Sequence, residues 1–301
     1  MSARRLELTV TPELAGRRVW SLLKYELKLS GTVIRRIKWL EDGILADGVR
    51  VNSDYRPRAG QVISVRLSDP AVRSGILPAS GPLDIVYEDG DLLILNKAPG
   101  VPVHPGPGHY NDTLGNFLMD YYQKQGIEAD FHPVHRLDRG TSGLMVAAKH
   151  PHAQDVLRQQ LHTGAFRRRY LAVCHGAPDP AMGVIDAPIG PVEDSLIRRQ
   201  VRPDGDAART RYQVVDTVRD LALLQLELDT GRTHQIRVHL SHIGHPLAGD
   251  FLYGTEEPEL IVRPALHSAE LWITQPVTGE GLHFSLPMPD DMKKLISKRG
   301  D

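Results

Sequence analysis

Only one cysteine, Cys174, stands among 301 residues, so no internal disulfide can form and no thiolate cluster can hold a metal. No apolar run approaches the roughly 18 residues that a membrane span requires. Residues 1–7 carry charges but no apolar h-region, so no signal peptide is read there and a cytoplasmic protein is expected. Several catalytic signatures are missing too. Gly106-Pro107-Gly108 lacks the Lys-Ser/Thr ending of a nucleotide-binding loop, and Pro107 removes an amide donor. There is no Gly-x-Ser-x-Gly elbow for a hydrolase serine and no His-Glu-x-x-His pair for zinc. A net charge of −1 gives the whole chain no strong pull on a polyanion.

What is present is an ordinary globular composition, 41% hydrophobic and 24% charged, which excludes wholesale disorder and fibrous architecture. The length suits one large core, or one large and one small domain. Charge is unevenly spread. Residues 1–70 hold 13 Lys and Arg against 8 Asp and Glu, whereas the remaining 231 hold 23 against 29. A basic N-terminal unit on an acidic body suggests that the small part touches nucleic acid.

Within that unit, residues 13–29 place Val19, Leu22, Leu23 and Leu27 at helical spacing, and Val33, Ile37 and Leu40 continue a second helix that stops near Gly43. Arg35, Arg36 and Lys38 lie on the other side of that second helix, as a solvated face or as RNA contacts. Asp47-Gly48 between Ile44–Ala46 and Val49–Val51 is a hairpin signal, and Gln61–Leu67 alternates as a strand. Residues 68–82 are rich in Pro, Gly and Ser without period. They divide the chain into a unit at 1–70, a linker at 71–82 and a body at 83–301. In the body, strands are expected at 92–95, 144–148, 170–174, 211–218 and 221–228, with helices at 151–162 and around Ile236, Leu240 and Ile243. No repeat and no regular βαβ alternation appears. The expected class is α+β, a body with a mainly antiparallel mixed sheet preceded by a small α+β module.

The nine residues His135-Arg136-Leu137-Asp138-Arg139-Gly140-Thr141-Ser142-Gly143 set one carboxylate between two arginines, followed by a small-residue turn. An acid among cations stays ionised, which suits a nucleophile or general base, although a surface ion-pair cluster would read the same way. In Thr230-Gly231-Arg232-Thr233-His234-Gln235-Ile236-Arg237-Val238-His239-Leu240 a glycine turn runs from strand into helix. It places Arg232 at the helix start and Arg237 about one and a half turns in. Arginine at such a junction holds a carboxylate or phosphate with its planar fork, or simply tethers sheet to helix. Phe166-Arg167-Arg168-Arg169-Tyr170 offers cations for an RNA backbone and a ring for a base, or a solvated strand end. His239, His242 and His245 recur every three residues, as do His132 and His135. A helix brings at most two such positions to one face, so no metal site is expected.

These segments, in this order, resemble the RluA-type family of RNA pseudouridine synthases from about residue 84 onward. Leu95-Asn96-Lys97 with Pro99-Gly100, Gly244-His245-Pro246-Leu247 with Gly249-Asp250, and Leu266-His267-Ser268 add to the match. The chain departs from the family's usual pattern in having Ala98 between the Asn-Lys pair and Pro99, and Arg169 where lysine is common. The N-terminal unit resembles the RNA-binding domain of ribosomal small-subunit protein four. The resemblance implies the pseudouridine synthase fold and an enzyme that isomerises uridine in structured RNA without cofactor or metal. It implies Asp138 as the acting carboxylate, Tyr170 as the base's aromatic partner and Arg237 against Asp138. Arg136 would fill the place of a flipped uridine, with Arg35, Arg36, Lys38, Arg169 and Arg232 as further RNA contacts. Large-subunit ribosomal RNA is the favoured substrate, with transfer RNA open, and no obligate protein partner is inferred. A non-catalytic RNA-binding or assembly factor on the same fold, and a metal-dependent hydrolase using the histidines, are the rival readings.

Overall fold

The computed structural model describes residues 4–68 and 74–297. The N-terminal module runs β1 (Arg5–Thr9), α1 (Val19–Tyr25), α2 (Gly31–Ile37), β2 (Ile44–Ala46), β3 (Val49–Arg50) and β4 (Val62–Arg66). Its strands form one antiparallel sheet in the order β1-β4-β2-β3. Val19, Leu22 and Leu23 of α1 meet Val33, Ile34 and Ile37 of α2 over Ile63 and Val65 in a separate core. The first helix is shorter than its apolar spacing suggests, because Gly16 (φ 75°) and Lys28 (φ 54°) turn the chain into the left-handed region on either side. Ser30 caps α2 by accepting from the Val33 N–H. Gly43 then passes so close to α2 that a Cβ would lie 1.8 Å from the Ile37 carbonyl oxygen. Asp47 and Gly48 both have positive φ, as a two-residue hairpin of this type needs.

The stretch read as a linker begins outside the described residues. Its part at 74–82 forms no helix or strand, yet it is strapped to the body. Ser74 bonds Asp130, Asn116 Nδ2 donates to the Leu77 carbonyl, and the Ala79 N–H donates to the Asn116 carbonyl.

The body continues with β5 (Ile85–Glu88), β6 (Leu92–Lys97), α3 (Leu114–Gln125), β7 (His132–Pro133), β8 (Ser142–Ala148), α4 (Pro151–Gln160) and β9 (Arg167–His175). Next come β10 (Met182–Asp186), β11 (Ile189–Pro191), β12 (Arg199–Val201), β13 (Arg209–Val218), β14 (Leu221–Leu228) and α5 (Gln235–His242). The last elements are β15 (Leu266–Thr274), β16 (Gly281–Ser285) and α6 (Asp290–Ile296). The central sheet has the order β10-β13-β14-β9-β15-β8-β6-β5, with β16 joined to β15 and β7 to β8. Its pairings are antiparallel except β8 with β15, which run parallel with Ser142 opposite His267. This is the expected mixed, mainly antiparallel sheet.

The continuous apolar runs of β6 and β8 follow from burial on both faces. Leu93, Leu95, Met145 and Ala147 pack with Leu118 and Tyr122 of α3 and with Ile236 and Leu240 of α5. The alternate residues Leu92, Ile94, Leu144 and Val146 pack on Ala153 and Leu157 of α4. A rigid, two-sided sheet thus fixes the ends of β6, β8, β9 and β14, from which the site is built.

Candidate active site

Asp138 lies in the loop between β7 and β8, where the Thr141 N–H bonds its carbonyl at 3.0 Å. Lys97, at the end of β6, anchors that loop from below. Its ammonium is fully buried and donates to three backbone carbonyls, those of Ala98 (2.8 Å), Val101 (2.9 Å) and Arg139 (3.1 Å). The Gly100 N–H also donates to the Arg139 carbonyl at 2.8 Å. Burial pushes the Lys97 pKa down to about 7, against the negative charge of Asp138, which raises it.

The carboxylate of Asp138 is 18% exposed and is flanked on both oxygens. Arg237 Nη1 stands 3.5 Å from Oδ2, and His234 Nε2 stands 3.9 Å from Oδ1. The cation beside Asp138 is therefore supplied from 99 residues away. Its sequence neighbours take other positions: Arg136 is exposed at the cleft, and Arg139 Nη1 bonds His109 Nε2 at 3.1 Å. Among the described residues the ion pairs of Asp138 are with Arg237 of α5 and with His234 just before it, and none is with Arg136 or Arg139.

Arg237 is held from behind. Its Nε and Nη2 form a two-pronged pair with Asp250, both at 2.8 Å, and both side chains are buried. Asp250 Oδ1 also accepts from the N–H groups of Leu252 and Tyr253. Burial works against the charge on Arg237, but the hydrogen bonds to Asp250 and the charges of Asp250 and Asp138 outweigh it and raise its pKa. The Tyr253 ring lies 5.0 Å from the guanidinium centre. Arg237 was legible from sequence; Asp250 was visible there only as part of a motif and Tyr253 not at all.

In front of Asp138 opens a cleft of about 320 Å³ with Leu137, Leu228, Ile236 and Leu266 among its walls. Tyr170 reaches it from β9, 4% exposed, on the sheet opposite Ser268. Burial raises the Tyr170 pKa, so the group in the cleft is a neutral phenol at physiological pH. Arg136 and Arg232 line the same cleft, with the Arg232 Nε donating to the Ala207 carbonyl at 3.0 Å.

A model of RNA pseudouridylate synthase matches residues 91–242, half of the chain, and spans both the Asp138 and the Arg237 segments. The chain belongs to the RNA pseudouridylate synthase family. It is a pseudouridine synthase of the RluA/RluD type. A Bacillus subtilis protein described as the uncharacterized RNA pseudouridine synthase YjbO is 42% identical over 271 residues, covering 90% of this chain and 95% of that relative. The ribosomal large subunit pseudouridine synthase D of Nitrosomonas europaea is 37% identical over 300 residues, covering 97% of this chain and 87% of that one. The solved structure of human RNA pseudouridylate synthase domain containing 4 superposes with a TM-score of 0.57 at 25% identity, covering 70% of this chain and 92% of that one.

Two sets of expected residues of this synthase lie away from the cleft. Arg169 points to the opposite face of the sheet, because side chains alternate along β9 and Tyr170 takes the cleft face. There it pairs with Glu227 (2.9 Å) and Glu270 (2.9 Å) and stacks on Trp272. The same alternation brings Arg168 to the cleft, 7% exposed, with a 3.5 Å contact to the Thr230 carbonyl and no partner for Nε. Period-two reasoning over Arg167–Tyr170 would have chosen it. Arg35, Arg36 and Lys38 sit on α2 of the N-terminal module and at its end. Arg35 is exposed, and the Lys38 ammonium lies 4.8 Å from the ring centre of Trp39, itself 76% exposed.

Two of the histidines weighed as metal ligands are engaged by other groups. His239 bonds Thr210 Oγ1 and the Ala187 carbonyl, and His245 bonds the His175 carbonyl. Among the described residues no three His, Cys, Asp or Glu side chains are grouped to hold a metal ion, and no helix is long and apolar enough to cross a membrane.

Proposed function

We propose that this synthase isomerises specific uridines in structured RNA, with large-subunit ribosomal RNA as substrate and Asp138 as the acting carboxylate. The observation that carries the reading is the Asp138 carboxylate beside Arg237 at the cleft that also holds Tyr170. The reaction breaks the bond from uracil N1 to ribose C1′, turns the base and rejoins it through C5. Attack on C1′ and removal of a sugar proton both require an ionised carboxylate facing the sugar. Arg237 holds that carboxylate and is itself fixed by Asp250. Tyr170 stacks on the uracil with its phenol available for proton transfer, and no cofactor takes part. Arg136, exposed at the mouth, takes the space left by the flipped nucleotide. Flipping costs a few kcal/mol, offset by stacking and by phosphate contacts from Arg232 and Arg168. The N-terminal module adds affinity through Arg35, Arg36 and Lys38, beside the exposed Trp39. The similarity to the ribosomal large subunit pseudouridine synthase D of Nitrosomonas europaea supports a ribosomal target.

The test is a map of pseudouridine in cellular RNA with and without this protein, with Asp138→Asn as the control. A large-subunit ribosomal site should vanish on deletion and return with the parent but not the variant, which still binds RNA. A lost site in transfer RNA would overturn the substrate, and normal product from Asp138→Asn would overturn the role of the carboxylate.

A further inference from the structure

His234 has a backbone that its residue type rarely adopts. It is the residue before α5, at φ 59° and ψ 18°, in the left-handed region, and it makes no side-chain cap to the helix it precedes. The usual residue for such a turn is glycine, or asparagine among side-chain-bearing types. The conformation carries the imidazole inward, where it is 15% exposed and its two nitrogens meet different partners. Nδ1 lies 2.8 Å from the Tyr253 hydroxyl, and Nε2 lies 3.9 Å from Asp138 Oδ1.

The Tyr253 hydroxyl already accepts a hydrogen bond from the Arg199 N–H at 2.9 Å. His234 Nδ1 is the acceptor within reach of the Tyr253 hydroxyl proton, and we assign the bond in that direction, which leaves Nδ1 without a hydrogen. In the neutral ring the hydrogen must sit on Nε2, the atom facing Asp138. Burial, outweighing the opposing charge of Asp138, lowers the His234 pKa, so the neutral ring is the relevant form. The Asp138 carboxylate thus has a permanent cation near Oδ2 and a neutral N–H donor near Oδ1. At 3.9 Å the contact is longer than a hydrogen bond, and it is the approach of Nε2–H to Oδ1 in the reacting complex that the proposal requires.

We propose that His234 is a positioning residue for Asp138: its left-handed backbone and the Arg199–Tyr253 relay aim an Nε2–H at Oδ1, fixing the plane of the carboxylate against the ribose. This rests on the reading of Asp138 as the acting carboxylate. The role belongs to the reacting state, so it bears on kcat and leaves RNA affinity unchanged.

The experiment compares His234→Gln, His234→Asn and His234→Gly in single-turnover assays and RNA-binding titrations, with Asp138→Asn alongside. Glutamine carries an amide N–H about as far out as Nε2. Asparagine tolerates the left-handed backbone better but is too short, and glycine tolerates it best with no donor. The expected order of rate is parent, then glutamine within about fivefold, then asparagine and glycine down by about tenfold to a hundredfold, with binding unchanged throughout. Asparagine or glycine equal to or faster than glutamine would mean that only backbone shape matters and would overturn the proposal. So would all three matching the parent. Nitrogen-15 shifts of the parent histidines, with the His234 signal assigned by its loss in His234→Gln, give a readout that needs no active variant. A ring protonated on Nδ1 overturns the relay, and Tyr253→Phe should release the Nε2–H form into a mixture of tautomers. Activity in Asp138→Asn would instead sink the underlying reading of Asp138, a failure distinct from the others.

Discussion

Replacing Asp250 by asparagine should damage this protein more than replacing Asp138, although Asp138 is the carboxylate at the cleft. Asp250 is fully buried and makes two 2.8 Å charge-assisted hydrogen bonds to Arg237, itself 6% exposed. The amide keeps the shape but removes the charge, leaving a guanidinium in the interior with only Asp138 nearby, at 3.5 Å. Removing one partner of a buried pair costs about 3–5 kcal/mol. For a chain of this size that lowers Tm by roughly 5–8 °C. Asp138 is partly exposed and its contact with Arg237 is longer than a hydrogen bond, so Asp138→Asn should melt within about 2 °C of the parent. Thermal denaturation by circular dichroism measures both, and the rate of pseudouridine formation completes the comparison. Asp138→Asn should be stable and inactive. Asp250→Asn should be unstable and slow, because the freed guanidinium is no longer held at a set distance from Asp138. If Asp250→Asn melts with the parent while Asp138→Asn collapses, then Asp138 is the structural partner of Arg237 and the assignment of roles is inverted.

Changing Arg35, Arg36 and Lys38 together to glutamine should weaken RNA binding and flatten the plot of log affinity against log salt by about two to three. An unchanged slope would remove α2 from the RNA interface. Arg168→Met should lower kcat/KM by about tenfold, since its guanidinium lines the cleft without a carboxylate partner, whereas Arg169→Met should stay within about twofold. The reverse ranking would mean that RNA runs over the Trp272 face of the sheet. Lys97 in the folded protein loses its proton near pH 7, but an unfolded lysine keeps it to about 10.4. Between these values the unfolded chain binds more protons, so this group makes stability rise with pH across that window, and below it the full penalty of burying the ammonium applies. Urea titrations of the parent and Lys97→Met should therefore diverge in favour of the parent from pH 7 to 10. Parallel pH dependences would show that Lys97 stays charged throughout.

The strands that the sequence displayed most clearly are those whose two faces meet the same environment. Leu92–Leu95 and Leu144–Ala148 are apolar at every position because helices cover both sides, so no period had to be resolved. The helix α3 left a weaker trace. Gly115 and Asn116 in its first turn are poor helix formers, and each is there for a tertiary reason. A Cβ at 115 would lie 3.1 Å from Phe131, and Asn116 completes a capping box with Thr113 while tying down Leu77 and Tyr110. Propensity lost to contacts with residues that sequence spacing cannot reveal. The same holds for the parallel pairing of β8 with β15. It needs Gly143 at φ 105°, where a Cβ would lie 2.2 Å from the Ser268 carbonyl oxygen. The glycine was visible, and its reason lay 125 residues away.

The site divides along the same line. Asp138, Tyr170 and Arg237 stood out because each sits in a dense local motif, and the first two line one cleft while the third stands behind the first. The pairing of Asp138 with Arg237 follows from the family resemblance, whereas the local segment shows only Arg136 and Arg139 beside the carboxylate. A side chain on a tight loop rarely faces its immediate neighbours, and here, among the described residues, the ion pairs of Asp138 are with Arg237 of α5 and His234 just before it, one at each oxygen. The supporting shell of Asp250, Tyr253 and Lys97 was harder still to read, since none of them needs to be near Asp138 in the chain. What selects them is that a buried guanidinium requires a buried carboxylate and a buried ammonium requires carbonyls. A buried arginine in the first turn of a helix therefore implies a fixed acid beside it, and the loop carboxylate of Asp250 meets that demand with two hydrogen bonds of 2.8 Å.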